Sequence, residues 1–289
     1  MTKSVLVTLD GEVHDFDAPL LHADDLAAVR GDGIFDTLLV RGGRPRKVRR
    51  HLERFANSAA AMGLDAPDLT AWDKVIDIAA EQWRDAVGDS GPEGLLRLVY
   101  SRGRESRPGS VTAYATITEL PARIAQARRD GVSVVTLERG YSIDLAANAP
   151  WQLLGAKTLS YATNMAALRH ATDQGFDDVI FTSAEGAVLE GPRSTVVAVY
   201  DKTLVTPPVE IGILPGTTTN AVFELAEQEG WKTETRVLLP ADLIAADAVW
   251  LVSSVTLAAR VTAINRYVMP DDADEHRFAD LVDRAISVD

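Results

Sequence analysis

The chain has 289 residues, of which 46% are hydrophobic and 25% are charged, as expected of a globular protein with a large core and enough length for two domains. Its formal net charge of −13 and its isoelectric point near 4.8 argue against a broad surface for nucleic acid or anionic lipid. The sequence contains no cysteine, which excludes disulfides, thiolate nucleophiles and thiolate metal ligands.

The N-terminal segment MTKSVLVTLDGEVHDFD reaches a charged, glycine-containing turn too early for a signal peptide. No apolar run approaches the roughly 18 residues that a membrane helix needs. The lack of cysteine also fits a reducing compartment. We therefore expect a cytoplasmic protein, with neither a membrane nor a nucleic acid as its partner.

The first third of the chain predicts a mixed α+β unit. SVLVTLDGEV alternates around an Asp-Gly turn and predicts a hairpin, and GIFDTLLVRGGRPRKV predicts strands over 34–41 and 44–48. RRHLERFANSAAAMG and LTAWDKVIDIAAEQWRDAVG have helical spacing, and EGLLRLVYSRG with SVTAYATITEL predicts a strand pair. We expect an N-terminal domain over 1–119 and a linker over 120–130.

The rest of the chain predicts a domain over 131–289 built on an antiparallel or mixed sheet. VSVVTLERG, DVIFTS, AVLEG, TVVAVY and TLVTPP are its closely spaced strands. A helix is expected to start at Lys157, with Tyr161, Met165 and Leu168 on one face. ILPGTTTNAVFELAEQEGW predicts a Pro-Gly turn followed by a helix with a threonine-rich N-terminus.

Two ionisable residues stand where chemistry is possible. A lone lysine at a helix start usually lays its stem on apolar surface, but the positive end of a helix and apolar surroundings would lower the pKa of Lys157, as Schiff-base chemistry requires. Glu190 follows the predicted strand AVLE and precedes a Gly-Pro turn. It either caps that turn or, if a pyridine ring lay over the sheet, would keep the ring nitrogen protonated.

An anion site is one of two interpretations of the segment PGTTTNAV. Gly216, Thr217 and Thr218 open the predicted helix, so their N–H groups and hydroxyls either bind an anion or cap the helix in the ordinary way. Arg54, beside the apolar face of the first long helix, is either solvated or the cation that a phosphate needs in so acidic a protein.

Metal, nucleotide and triad motifs are missing. The five histidines have no ligand spacing, so we expect no metal site. RGDGIFDT lacks the glycine pattern of nucleotide-binding loops, and no serine stands in a GxSxG elbow.

Four ordered runs together resemble one family. RGDGIFDTLLVRGGRPRKVRRHLERF, GAKTLSYATNMAAL, AVLEGPRSTVVAV and LVTPP with ILPGTTTNAV resemble the fold-type IV pyridoxal-phosphate enzymes, from about Val5 to Ile264. These include aminodeoxychorismate lyase and the branched-chain and D-amino-acid aminotransferases. The resemblance implies a smaller N-terminal α/β domain, a larger C-terminal domain on a barrel-like sheet, and pyridoxal 5′-phosphate between them. It also implies a homodimer in which a partner loop completes each site.

The resemblance also implies a role for particular residues. Lys157 matches the lysine that binds the cofactor covalently and later moves protons, and Glu190 matches the glutamate on the pyridine nitrogen. Tyr161 resembles a tyrosine near the phenolic oxygen. The residues implied at the phosphate are Arg54, Gly216, Thr217 and Thr218, with Ser254 and Thr256 in a loop that closes over it. Those implied at the substrate are Thr37 and the three arginines of VYSRGRESRPG, namely Arg102, Arg104 and Arg107.

The motif details favour one member of the family. RGDGIFDT, LEGPRSTV and PGTTT look more like the lyases, whereas VSSVTLAARVTAI fits neither group fully and begins like the D-amino-acid aminotransferases. We expect a lyase that converts 4-amino-4-deoxychorismate, a small-molecule amine, to 4-aminobenzoate and pyruvate in the synthesis of a folate precursor. The alternatives are an aminotransferase of branched-chain or D-amino acids with 2-oxoglutarate, and a catalytically silent protein that binds a phosphate ligand.

Overall fold

A computed structural model describes residues 3–271 and 275–287. The chain divides into two compact units, one of Met1–Pro121 with Ala156–Tyr161 and the other of Ala122–Gly155 with Ala162–Asp289. The sequence did not indicate that a short segment around Lys157 returns to the first unit. Each unit has its own curled sheet of half-barrel shape, in a mixed α/β fold.

The first unit is built on a six-stranded antiparallel sheet in the order β2-β1-β6-β5-β3-β4. Its strands are β1 Ser4–Thr8, β2 Val13–His14, β3 Gly33–Arg41, β4 Arg44–Pro45, β5 Gly94–Ser101 and β6 Thr112–Glu119. Its helices are α1 Leu26–Arg30, α2 Val48–Ala61 and α3 Leu69–Val87. The predicted hairpin, the strand pair and both long helices are confirmed. The strand predicted over 44–48 is shorter because Val48 already begins α2.

The helical spacing in the first unit has the expected cause. Leu52, Phe55 and Ala59 of α2 are buried in the core, and the Phe55 ring packs edge-on against Trp72 of α3 with centroids 5.1 Å apart. Burial of side chains of this size contributes about 1.5–3 kcal/mol each. The side chain of Asp68 accepts hydrogen bonds from the first turn of α3 and so fixes where that helix begins.

The second unit is built on an eight-stranded mixed sheet, in which β11-β10-β9-β12-β13-β7-β8 form a path and β14 pairs with β13. The strands are β7 Val132–Glu138, β8 Asp178–Thr182, β9 Thr195–Tyr200, β10 Thr203–Thr206, β11 Lys232–Thr235, β12 Ala248–Ser253, β13 Leu257–Ile264 and β14 Tyr267–Val268. The helices are α4 Ala122–Asp130, α5 Leu145–Asn148, α6 Ala162–Asp173, α7 Thr217–Gln228, α8 Pro240–Ile244 and α9 Glu275–Ser287. The continuous apolar runs of β9 and β12 lie in the middle of this sheet, where both faces are covered.

Two segments of the second unit differ from expectation. The predicted linker, 120–130, contains α4, whose Ile124 is only 1% exposed and anchors the helix. AVLE, expected as a strand, forms only a single bridge between Thr182 and Val188, so Glu190 follows an irregular segment. Along 3–271 and 275–287, no helix combines the length and the hydropathy needed to cross a membrane.

Candidate functional site

Lys157 lies in an extended segment and not in a helix, so the predicted helix start is wrong. The Phe35 N–H of β3 donates to the Lys157 carbonyl over 3.0 Å, and the Lys157 N–H donates to Ser58 Oγ of α2 over 3.1 Å. Helix α6 begins only at Ala162. Because pairing with β3 replaces the expected helical turn, the helix N-terminus predicted beside Lys157 is not formed there.

Phe35 organises the surroundings of Lys157. The Lys157 Nζ lies 4.7 Å from the Phe35 ring centroid, and the Tyr161 ring meets the Phe35 ring edge-on at 5.3 Å. The guanidinium carbon of Arg97 lies 5.9 Å from the same centroid. Thr37 pairs with Arg97 across β3 and β5, so both share the sheet face of Phe35. Arg97 was not among the predicted site residues. The alternation in LLRLV, in which a charge stands between two buried leucines, could have indicated its place on this face of the sheet.

Arg54 is buried with Asp36 and His51. The exposed fractions of the three residues are 8%, 0% and 2%, respectively. The Arg54 Nε donates to Asp36 Oδ2 over 3.0 Å and its Nη2 to Asp36 Oδ1 over 2.7 Å, while His51 Nδ1 lies 2.9 Å from Asp36 Oδ1. Since a carboxylate only accepts, His51 donates from Nδ1. The sequence analysis singled out Arg54 but missed its two buried neighbours.

The charges in this cluster set its protonation states. Burial alone would raise the pKa of Asp36, but the positive charge of Arg54 and the hydrogen bond from His51 hold that pKa well below its usual range. Burial lowers the pKa of His51, and the attraction of Asp36 does not overcome it. The cluster at neutral pH therefore holds a carboxylate, a guanidinium and a neutral imidazole.

The three arginines expected near substrate lie at the end of β5 and beyond it. Arg102 Nε donates to Asp32 over 2.8 Å, and Arg104 Nε donates to Asp24 over 2.9 Å. The side chain of Arg107 is exposed. Arg102 and Arg104 thus already have carboxylate partners within the first unit. Among the described residues, Arg107 forms no ion pair. A substrate contact from any of the three stays a prediction.

In the second unit, backbone and tyrosine surround Glu190. Its Oε2 accepts from the Leu214 N–H over 3.2 Å, and the side chain is half-buried. Burial, followed by the negative charge of Glu190, raises the pKa of Tyr141 to about 12. The Leu214 N–H thus fixes one oxygen of the Glu190 side chain, and a carboxylate at this position is suited to pairing with a protonated ring nitrogen.

The N-terminus of α7 gathers donors for an anion. Its cap position is Gly216, which has no side chain, so ordinary threonine capping does not apply there. Thr217, Thr218 and Thr219 are each at most 5% exposed, and Thr218 Oγ1 has no hydrogen-bond partner within the described part of the chain. A Cβ at Gly216 would lie 2.6 Å from Thr195 Oγ1, so the site needs glycine. A buried hydroxyl and the positive end of the helix dipole suit a phosphate.

The turn Ser254–Thr256 joins β12 to β13 and lies beside α7. Ser254 Oγ is 3.4 Å from Thr217 Oγ1, and the Thr256 N–H donates to Ser253 Oγ over 3.1 Å. The structure therefore brings Gly216, Thr217, Thr218 and Ser254 together, as expected of a phosphate site. The Thr256 carbonyl accepts instead from Arg128 of α4. No cluster of three or more metal-ligating side chains occurs among the described residues.

Comparisons with known proteins find similar proteins that cover nearly the whole chain. The model of the family Amino-transferase class IV matches residues 33–264. A bifunctional aminodeoxychorismate lyase / D-amino acid transaminase of Mycobacterium tuberculosis is 51% identical, over 99% of this chain and 100% of the relative. A hypothetical aminotransferase from that organism, solved with alpha-ketoglutarate and PMP bound, has 51% identity and a TM-score of 0.95, over 98% of both chains. A fold IV-transaminase from Curtobacterium pusillum has 39% identity and a TM-score of 0.92, over 98% of this chain and 97% of the other.

Proposed function

Because this chain belongs to the amino-transferase class IV family of pyridoxal-phosphate enzymes, we propose that it converts 4-amino-4-deoxychorismate to 4-aminobenzoate and pyruvate. The observation that carries this proposal is the identity of 51%, over the relative's whole length, to a protein named for that lyase activity. The lyase-like motifs in RGDGIFDT and PGTTT point the same way. The product would enter the synthesis of folate.

The side chains in both units fit pyridoxal phosphate. The buried Thr218 hydroxyl and the N-terminus of α7 would suit its phosphate, and Glu190 would suit its pyridine nitrogen. In the first unit, Arg54 would contribute a cation, while Lys157 offers the amine for the aldehyde. When bound, the cofactor supplies an electron sink for negative charge at the carbon that bears the substrate's amine.

The remaining chemistry falls to side chains of this chain. Lys157 would take the ring proton from the amine-bearing carbon, and Glu190 would keep a proton on the pyridine nitrogen. The bond between the ring and the enolpyruvyl oxygen would then break as the ring becomes aromatic. The released enolate would take up a proton to become pyruvate, so no second substrate would be needed. Tyr161 would lie near the phenolic oxygen, while Thr37 and one of Arg102, Arg104 and Arg107 would contact the substrate.

Replacing Lys157 tests the cofactor assignment. Lys157→Ala removes the amine that binds the cofactor, so we expect the visible absorbance of the covalently bound cofactor and all turnover to disappear. Absorbance spectra and a 4-aminobenzoate assay measure the two effects, with the exposed Lys202→Ala as the matched control. A colourless Lys157→Ala protein that still turns over would disprove the assignment.

A second activity, D-amino-acid transamination, would use the same residues. It is favoured by the bifunctional name of the relative and by the alpha-ketoglutarate bound to the similar aminotransferase. The test incubates purified protein with aminodeoxychorismate and, separately, with D-amino acids or branched-chain amino acids plus 2-oxoglutarate. Formation of glutamate without 4-aminobenzoate would reject the lyase proposal, and formation of both would show a bifunctional enzyme.

We also propose that the protein acts as a homodimer in the cytoplasm. The dimer is proposed from its family, and the cytoplasm from the reducing conditions that a cysteine-free chain fits. Sedimentation at micromolar concentration should give twice the mass of 31.2 kDa. A monomer throughout the concentration series would contradict the dimer.

A further inference from the structure

Arg128 reaches from α4 to the turn that follows β12. Its Nε donates to the Thr256 carbonyl over 3.2 Å, and its Nη2 donates to the carbonyl of Val255. These acceptors belong to consecutive residues, so one planar guanidinium holds two peptide groups of the turn. The helix is itself fixed, because Ile124 is buried on the sheet.

The turn ends in an unfavourable backbone conformation and therefore needs such support. Leu257 has a φ of 61°, in the left-handed region that a bulky side chain rarely adopts. Within the turn, the Thr256 N–H is already used by Ser253 Oγ. The two carbonyl contacts to Arg128 add to the hydrogen bonding that holds the turn in place.

The position of Ser254 depends on this turn. Its Oγ lies 3.4 Å from Thr217 Oγ1 at the start of α7, next to the unpartnered hydroxyl of Thr218. Arg128 does not need to reach α7 to affect it, because displacement of the turn would withdraw Ser254 from Thr217.

We infer that Arg128 is a positioning residue for the phosphate end of the cofactor. This inference rests on the proposed function, in which α7 and Ser254 hold that phosphate. Arg128 fixes the turn, and the turn holds Ser254 against the helix N-terminus. Its loss should therefore weaken binding of pyridoxal phosphate more than binding of pyridoxal, which has the same ring and aldehyde but no phosphate.

The experiment compares three variants by titrating the cofactor-free protein with each of the two aldehydes. Arg128→Met keeps the stem and removes the donors, and we expect the Kd for pyridoxal phosphate to rise about tenfold while that for pyridoxal changes less than about twofold. Arg128→Lys keeps the charge, but a compact ammonium cannot hold both carbonyls in the same way, so it should also weaken binding. Arg129→Met is the control, since that side chain is 69% exposed and pairs with the adjacent Asp130.

A double variant tests the route through Ser254. If Arg128 acts through the turn, Ser254→Ala should cost less affinity for pyridoxal phosphate in the Arg128→Met background than in the wild type. Full affinity in Arg128→Lys, equal weakening for both aldehydes, or independent effects in the double variant would overturn the inference. Wild-type protein that binds neither aldehyde would instead reject the proposed function, and the inference with it.

Discussion

Asp36, His51 and Arg54 form a buried cluster in the first unit, and its contacts restrict what Arg54 can do. The Nε and Nη2 of the guanidinium are aimed at Asp36, so the side chain is held in one orientation. Asp36 supplies the counter-charge that a guanidinium needs at 8% exposure. A phosphate contact from Arg54 would therefore come from a fixed group and need little further ordering.

Removal of the carboxylate charge should be costly at this position. Asp36→Asn leaves the Arg54 guanidinium buried without its counter-charge, and we expect the free energy of unfolding to fall by about 3–5 kcal/mol. Asp32→Asn is the matched control, because its partner Arg102 is 41% exposed and such a pair contributes roughly 0–1 kcal/mol. Urea unfolding of the cofactor-free proteins measures both values. Equal losses in the two variants would show that burial does not govern the Asp36 contact.

His51 should make stability fall as the pH falls below about 6.5. Its pKa is lowered in the folded protein, so the unfolded chain takes up a proton near the ordinary pKa, while the folded imidazole stays neutral until the pH reaches its own, lower pKa. The unfolded state then binds more protons, and stability falls as the pH falls, by at most about 1.4 kcal/mol per pH unit. The lowered pKa of Asp36 adds a loss in more acid solution, below about pH 4.

The His51→Asn variant isolates the first of these effects. It should reduce the dependence of the unfolding free energy on pH between 7 and 5, as measured by urea unfolding at several pH values. His170→Asn, at an exposed position in α6, is the control and should keep the wild-type dependence. An unchanged slope in His51→Asn would mean that another group causes it.

At the scale of the element, the buried Thr218 hydroxyl of α7 should favour anion binding at some cost in the stability of the cofactor-free protein. Thr218→Val replaces an unpartnered buried hydroxyl with a methyl group of similar size, so the cofactor-free protein should keep or gain stability. Affinity for pyridoxal phosphate should nevertheless fall, by about 5-fold or more if the hydroxyl binds the phosphate.

Thr206→Val, at the end of β10, is the contrasting control for Thr218→Val. The buried Thr206 hydroxyl donates to the Val196 carbonyl over 2.8 Å, so its removal should destabilise the protein by about 1–3 kcal/mol without specific loss of phosphate affinity. Thermal unfolding and cofactor titration separate the two variants. Destabilisation by Thr218→Val, with unchanged affinity, would assign that hydroxyl a structural role only.

The elements also indicate which features were predictable from sequence. Helices α2 and α3 were predicted because their apolar spacing matches their burial, and α7 because Pro-Gly and threonines mark its start. The segment around Lys157 was misread because its partners, Phe35 and Ser58, are distant in sequence. No local pattern encodes pairing with β3.

The candidate site shows the same contrast between local sequence patterns and contacts between distant residues. Lys157, Glu190 and the residues of α7 stand in short, ordered motifs, so the sequence could single them out as candidates for the site. Asp36, His51 and Arg128 could not, because each matters through a partner on another element. Their significance depends on burial and on distances that the sequence does not contain.

At the scale of the whole molecule, the two units are not two consecutive stretches of the chain. The chain leaves the first unit after Pro121, returns for Ala156–Tyr161, and leaves again. A fragment ending at Pro121 would therefore lack the segment that pairs with β3 and carries Lys157.

The segment Ala156–Tyr161 limits how recombination can exchange parts of this chain. Recombination that exchanges the second unit at a single crossover would also replace the lysine and the strand-like segment seated on β3. A new partner sequence must then supply both a working second sheet and six residues that fit the first unit. A single crossover therefore cannot replace the second unit and leave the first unit intact.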